Sequence, residues 1–319
     1  MSPENHIDRP VALDPLEDVL ALIEARGELA STLTGHGDWA VRFPASAGAK
    51  FNSVLTGSCT IDTDGLSHPV TLRAGDSFLL TRPQEFVIAT SAQAVEQPAS
   101  PLFRETSGRS AEVGLGDQPV TATLIGGSFT FDRRARELLL DALPPLIHLP
   151  AHADGAAIAQ HLLNRIGQEA STERIGAGVI GEHLAVVLLI DIIRYHLAEN
   201  LEGTSWLHGL ADPVAAAALR AIHADPAARW TVQLLADKAH VSRSTLAARF
   251  KAVVGLGPLE YLTRWRIEVG AHRLATTEQT IATIADGVGY GSEAAFALAF
   301  KRELGMPPGG YRRSVHRKE

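Results

Sequence analysis

The sequence predicts an α+β chain of two domains, an N-terminal β-barrel followed by a helical hairpin and a C-terminal all-α domain built from a duplicated helix pair. Three observations predict it. Short β-type runs punctuated by Gly, Pro and Asp-Gly fill residues 38–132. Helical patterns take over from about Asp154. A segment beginning at Thr231 then recurs at an offset of 49–50 residues. At 319 residues the chain is long enough for two domains, each with its own core.

In the β-rich half, Asp64-Gly65 marks a hairpin, and Ala74-Gly75-Asp76 a turn before an apolar strand at Ser77–Leu80. Val120–Phe131 reads as a further strand pair. This pattern fits a sandwich or barrel. Helices are expected at about Asp154–Glu169 and Glu173–Asn200. The stretch Leu184–Leu197 is apolar on most faces, so it is either buried or paired with its copy in a dimer.

The repeat lays TVQLLADKAHVSRSTLAARF over TIATIADGVGYGSEAAFALAF, pairing Ala236 with Ala285, Asp237 with Asp286 and Ser242 with Ser292. Phe250-Lys251 then pairs with Phe300-Lys301, Gly255 with Gly305, Pro258 with Pro308 and Tyr261 with Tyr311. Each copy has an amphipathic helix, a small residue where helices cross, a tight turn, a capping Ser and a second helix. The apolar face of that second helix is Leu246, Phe250 and Val254, then Phe296, Phe300 and Leu304. Such a helix-turn-helix places its second helix in a DNA major groove. A generic helical repeat is the competing reading, but capping, turn and core positions recur in register. His240 stands in a turn position where the other copy has Gly289. Between the copies, Pro258 to about Ala275 reads as one helix, with Leu259, Leu262, Trp265, Ile267 and Val269 holding the motifs in a fixed relation.

Charge divides as the architecture does. Residues 212–319 carry 15 Lys+Arg and 10 Asp+Glu, about +5, and residues 1–211 carry 14 and 26, about −12. No run approaches the ~18 apolar residues of a membrane span. The first ten residues lack the pattern of a secretory signal. Cys59 is the single cysteine, so no intrachain disulfide forms. These features point to the cytoplasm, with no membrane partner.

Residues 212–313 resemble the DNA-binding domain of AraC/XylS-type transcription regulators. The resemblance is carried by Gly289-Tyr290, Ser292, Phe296, Phe300-Lys301, Gly305, Pro308 and Tyr311-Arg312. It implies seven helices, with helix-turn-helix motifs at about 231–254 and 280–304 joined by a linker helix at about 258–275. Double-stranded DNA is the implied partner. The candidate DNA-facing residues are Arg243, Ser244, Thr245, Ala247, Ala248, Arg249 and Lys251 in the first motif. In the second they are Glu293, Ala294, Ala297, Leu298, Lys301 and Arg302, with Arg312 beyond it. Similar proteins often carry a base-reading Arg at the sixth position after the capping Ser, where this chain has Ala248 and Leu298. The expected readout therefore leans on phosphate contacts and thymine methyls, is less GC-directed, and is steeply salt-dependent.

Residues 14–200 resemble the cupin-type regulatory domain that precedes such DNA-binding domains, through Phe51–Cys59, Leu72–Leu80, Gly127–Asp132 and Leu139–Leu149. The implied organisation is a regulatory and dimerisation domain at 1–200, a linker at 201–211 and the DNA-binding domain at 212–319. Many cupins hold a metal through His and carboxylate groups. Here Asn52 and Phe86 stand where relatives often have His, and Gly126 where a Cys is frequent, so neither metal nor cofactor is expected. His68 falls in an expected hairpin loop, and His148 and His152 near an expected loop beyond the barrel. The candidate effector pocket is Asn52, Cys59 and Phe86, and Cys59 is read as a small buried strand residue rather than a redox switch. The function implied is a non-enzymatic, homodimeric regulator with a small-molecule effector, in contact with RNA polymerase if it is an activator. The alternatives are a cupin-type metal enzyme with a DNA-targeting tail, or a degenerate regulator acting through a partner.

Overall fold

A computed structural model describes residues 14–23, 26–46, 48–104, 110–130, 138–171, 174–200 and 203–316. The expected readings at the first ten residues, at Phe131-Asp132 and at Glu173 lie outside these. The chain divides into two compact units. One combines the residues up to Leu22 with those from Leu201 onward, and the other runs from Ile23 to Asn200.

In the first unit, α1 (Pro15–Ile23) buries Leu16 and Val19 and shares the unit's core with the C-terminal helices described below.

The second unit is a curled sheet of β1 (Arg26–His36), β2 (Ala40–Phe43), β3 (Ala49–Thr63), β4 (Val70–Arg73), β5 (Ser77–Leu80), β6 (Phe86–Ala89) and β7 (Glu96–Pro98), then α2 (Ala99–Arg104), β8 (Ser110–Gly114), β9 (Val120–Thr130) and β10 (Leu146–Leu149). Strand β3 is long enough to serve two layers. Its first half pairs with β5 and β9, and its second half with β4 and β6. The register shifts between Val54 and Thr56, where β3 passes from one layer to the other. Leu33, Trp39, Val41, Val54, Cys59, Ile61, Leu72, Phe78 and Leu124 fill the space between the layers.

The expected hairpin at Asp64-Gly65 and the strand at Ser77–Leu80 are observed. Two expectations are corrected. Val120–Thr130 is one continuous strand, because β1 and β3 flank it on both sides and leave no need to fold back. His148 lies within β10, paired with Phe78 of β5, and so belongs to the sheet rather than beyond the barrel. The Asp76 carboxylate lies 3.2 Å from His148 Nε2 and accepts from Ala151 N at 2.8 Å, fixing the end of that strand.

Two helices follow, α3 (Ala156–Ser171) and α4 (Ala177–Glu199), which pack on each other and on β1. In α4, Leu188, Leu189, Ile192 and Ile193 are buried while Val179, Ile180 and Val187 are exposed, so its apolar character is split between two faces. Among the described residues no helix is long and apolar enough to cross a membrane.

The first unit continues with α5 (Trp206–Ala211), α6 (Pro213–Ala224), α7 (Val232–Lys238), α8 (Arg243–Val254), α9 (Pro258–Thr276), α10 (Ile281–Gly287), α11 (Glu293–Leu304) and α12 (Pro308–His316). Helix α5 occupies part of the stretch expected to be linker, and it packs against α6 and α8. In α9, Leu262, Trp265 and Ile267 are buried as expected, Leu259 is exposed, and Tyr261 joins the core.

Candidate nucleic-acid interface

Two helix pairs, α7–α8 and α10–α11, are built alike. Thr231 and Thr280 cap the first helix of each pair, accepting from Leu234 N and Thr283 N, both at 3.1 Å. Ser242 and Ser292 cap the second, accepting from Thr245 N at 3.1 Å and Ala295 N at 3.2 Å. In the intervening turns Val241 N donates to Ala236 O at 3.1 Å and Tyr290 N to Ala285 O at 2.9 Å, the same bond one repeat apart. That turn requires a left-handed residue. Gly289 supplies it with φ 82°, and His240 with φ 54°, where it is the one non-glycine residue with positive φ among those described. The departure visible in the sequence is thus accommodated by local strain, not by a different turn.

Each second helix buries one stripe and exposes another. Leu246, Phe250 and Val254 face the core from α8, as do Phe296, Ala299 and Phe300 from α11. On the open side of α8 stand Arg243, Ser244, Thr245, Ala248 and Lys251, with Ala247 half-buried. On α11 the open residues are Glu293, Ala294, Leu298, Lys301 and Arg302, with Ala297 half-buried. Leu298 is 74% exposed.

Some expected DNA contacts have partners inside the fold: locally, Arg302 donates to Glu303 at 3.0 Å and the Ser244 and Thr245 hydroxyls bond to Ser242, and two arginines are held by distant parts of the chain. Arg249 donates through Nε to Asp212 Oδ2 at 2.5 Å, and Asp212 also accepts from Val214 N and Ala215 N as the cap of α6. Burial alone would raise the Asp212 carboxyl, but the Ala215 amide and Arg249 hold it below its usual range. Arg312 donates to the carbonyls of Leu274 and Gln279, closing α12 onto the end of α9. Both arginines read as surface cations in the sequence because their partners lie more than 30 residues away.

The joint between the motifs rests on a residue the sequence did not single out. Arg266 of α9 donates to Pro226 O at 2.6 Å and Ala228 O at 2.8 Å, and its guanidinium lies 5.9 Å from the Tyr290 ring centroid. One side chain therefore ties the approach to the first motif to the turn of the second. Trp265, on the same helix as Arg266, stacks on His223 of α6 at 3.9 Å. His223 Nε2 accepts from Tyr261 Oη at 2.9 Å, and its Nδ1 donates to Asp18 of α1 at 3.1 Å. Burial pushes His223 below the ordinary histidine range, outweighing the opposing pull of Asp18.

In the barrel, Asn52, Phe86 and Gly126 line one cavity of about 240 Å³ together with Ser31, Leu33, Phe43, Lys50 and Phe103. Cys59 does not line it. It lies farther along β3, opposite Leu72 in the core, which corrects its place in the candidate pocket. Burial, and secondarily Asp76, pushes its thiol up to about 12. Asn52, Phe86 and Gly126 offer a single amide group, short of the several donors a divalent ion needs. Among the described residues no three His, Cys, Asp or Glu side chains cluster as a metal site.

Residues 14–198 match the cupin family model, and residues 235–314 match a helix-turn-helix domain. A putative AraC-like transcription regulator of Streptomyces lividans is 50% identical over 94% of this chain and 98% of its own. The chain belongs to the AraC-type transcription regulators. A second such regulator, from Streptomyces antibioticus, is 49% identical over 94% of this chain and 99% of its own. The transcriptional regulator AlkR of Acinetobacter baylyi is 34% identical over 86% and 91%. Among solved structures, the DNA-binding domain of AdpA, crystallised with a target DNA, covers 34% of this chain and 96% of its own at 29% identity and a TM-score of 0.32. The AraC-type assignment gives the chain a cupin-like regulatory domain and a DNA-binding domain with two helix-turn-helix motifs.

Proposed function

We propose that this regulator reads duplex DNA with α8 and α11 through phosphate contacts and small apolar contacts rather than through base-reading arginines. The exposed stripes of the two recognition helices carry this reading. Arg243, Lys251, Lys301 and Arg302 suit phosphates, Ser244 and Thr245 suit polar contacts near the start of α8, and Ala247, Ala248, Ala294, Ala297 and Leu298 suit thymine methyls. Glu293, at the open end of α11, suits a cytosine amino group or disfavours a phosphate. Arg249 and Arg312 hold the fold instead.

The barrel senses a small molecule, and the chain acts as a cytoplasmic homodimer without enzymatic activity, meeting RNA polymerase where it activates. Ile180, Leu184 and Val187, spaced by four and three along α4, offer an apolar stripe to a second copy. The relatives' naming as transcription regulators supports the non-enzymatic reading.

The test is selection of genomic fragments on the purified chain, followed by binding titrations at several salt concentrations. AT-rich sites whose affinity falls steeply with salt are expected. A GC-rich consensus bound with little salt dependence would overturn the readout.

A further inference from the structure

The walls of the barrel cavity are of two kinds, and the sheet register sets them apart. On one side Asn52 of β3, Gly126 of β9 and Ser31 of β1 stand abreast as one rung, with Lys50 and Ser128 as the next. The rung on the other side of Asn52 is apolar: Val54, Leu124 and Leu33. Facing these are three aromatic rings from other elements. Phe43 of β2 and Phe86 of β6 stack at 4.6 Å and 3° between planes, and Phe103 of α2 leans on Phe43 at 6.3 Å. Phe78 braces Phe86 edge-on from the core at 6.4 Å.

Asn52 decides what such a space can hold. Its carboxamide makes no hydrogen bond to any described residue, although it is only partly exposed and lines the cavity. Gly126 is what lets it lie there, because a Cβ at that position would strike Asn52 Oδ1. A primary amide presents a donor and an acceptor side by side, and here both are left for whatever enters the cavity. The matching ligand edge is an adjacent acceptor and donor, the same pairing by which an Asn side chain reads adenine in DNA. The aromatic wall asks for a flat ring face. The volume, about 240 Å³, exceeds the ~150 Å³ that accommodates a benzene.

We propose that this cavity binds a flat aromatic compound of one or two rings bearing a lactam-like edge, with Asn52 pairing to that edge and Phe43 and Phe86 covering the ring face. The assignment rests on the effector-sensing reading of the barrel and supplies the chemical class of the effector.

The full-length chain is titrated calorimetrically with three matched probes. Quinolin-2(1H)-one has ring and edge, its N-methyl derivative lacks the donor, and decahydroquinolin-2-one keeps the lactam without the aromatic face. The first binds, the N-methyl probe binds about tenfold more weakly, and the saturated lactam about three- to tenfold more weakly. Asn52→Leu abolishes the preference for the N–H probe, and Phe43→Leu abolishes the preference for the aromatic one, each with an unchanged melting transition. Equal binding of all three probes, or no binding by any, overturns the proposal. So does a preference that survives Asn52→Leu in a folded variant. Target-DNA affinity measured with and without quinolin-2(1H)-one separates the two layers. Discriminating binding that leaves DNA affinity unmoved upholds the cavity assignment and removes the effector reading. DNA affinity that responds to a cell extract, while no probe binds, removes the assignment and leaves the effector reading.

Discussion

The duplicated turn allows one residue position to be perturbed in both directions. Gly289 has φ 82°, and a Cβ there would come within 2.6 Å of Ala227 O and 2.8 Å of Ala227 Cα, both backbone atoms that cannot swing aside. Gly289→Ala therefore incurs about 1–2 kcal/mol for the left-handed conformation and about 1–3 kcal/mol for overlap. A more restricted unfolded chain offsets about 0.4–1 kcal/mol of this. The net loss is about 2–4 kcal/mol. At His240, exposed and with φ 54°, replacement by Gly runs the other way. Release of about 1–2 kcal/mol of strain against about 0.4–1 kcal/mol of added unfolded-state freedom gives a gain of about 0.8 kcal/mol. Three tryptophans, Trp206, Trp230 and Trp265, lie in this unit, and Trp39 lies in the barrel. Denaturation followed by tryptophan fluorescence in a Trp39→Phe background therefore reports the DNA-binding unit. Gly291, with nothing within 4 Å of an added Cβ, is the control. If Gly289→Ala costs no more than Gly291→Ala, the close approach to Ala227 does not constrain the turn.

Further outcomes follow from the same geometry. Lys251→Ala and Lys301→Ala should each lower the slope of log affinity against log salt by about 1, whereas Arg249→Ala should leave that slope unchanged, as binding titrations across a salt series would show. Arg249→Ala should instead destabilise the DNA-binding unit by about 1–3 kcal/mol by leaving the buried Asp212 carboxylate without its cation. Because burial depresses His223 in the folded state, the unfolded chain takes up its proton first as pH falls. Stability of the unit is therefore full above the ordinary histidine range and declines below about pH 6.5. His223→Gln should flatten that part of a stability-versus-pH curve. Cys59, its thiol pushed up to about 12, should resist maleimide in the folded chain at neutral pH and react once denaturant is added.

The helix-turn-helix half was legible because its signals are local. Caps at Ser242 and Ser292, the turns, and the apolar stripes all lie within a few residues of the elements they define. The barrel was legible as strands and turns but not as pairings, since β3 serves two layers and β9 runs unbroken between β1 and β3. What the sequence concealed are side chains whose partners are distant in the chain. Arg249 meets Asp212, Arg266 reaches Pro226 and Ala228, and His223 meets Asp18 across 205 positions. Charge and exposure preferences could not distinguish these from solvent-facing groups. An inward-facing position on β3, such as Asn52, carries a visible signal only in its polarity. Its neighbours Ser31 and Gly126 become neighbours through the register alone.

These distant pairings give the interface its physical character. A recognition helix with arginines at its base-facing positions gains specificity from individual bidentate contacts. Alanines and a leucine gain little per contact, so discrimination depends on how closely the helix fits the groove and how rigidly both helices are held. Here the rigidity has named sources: the Asp212–Arg249 pair behind α8, Arg312 closing α12 onto α9, and Arg266 joining the two motifs. Arg249 and Arg312, which look like DNA contacts in the sequence, thus act one layer behind the exposed stripes of α8 and α11, fixing the surface on which the proposed readout places Ala248 and Leu298 against the bases.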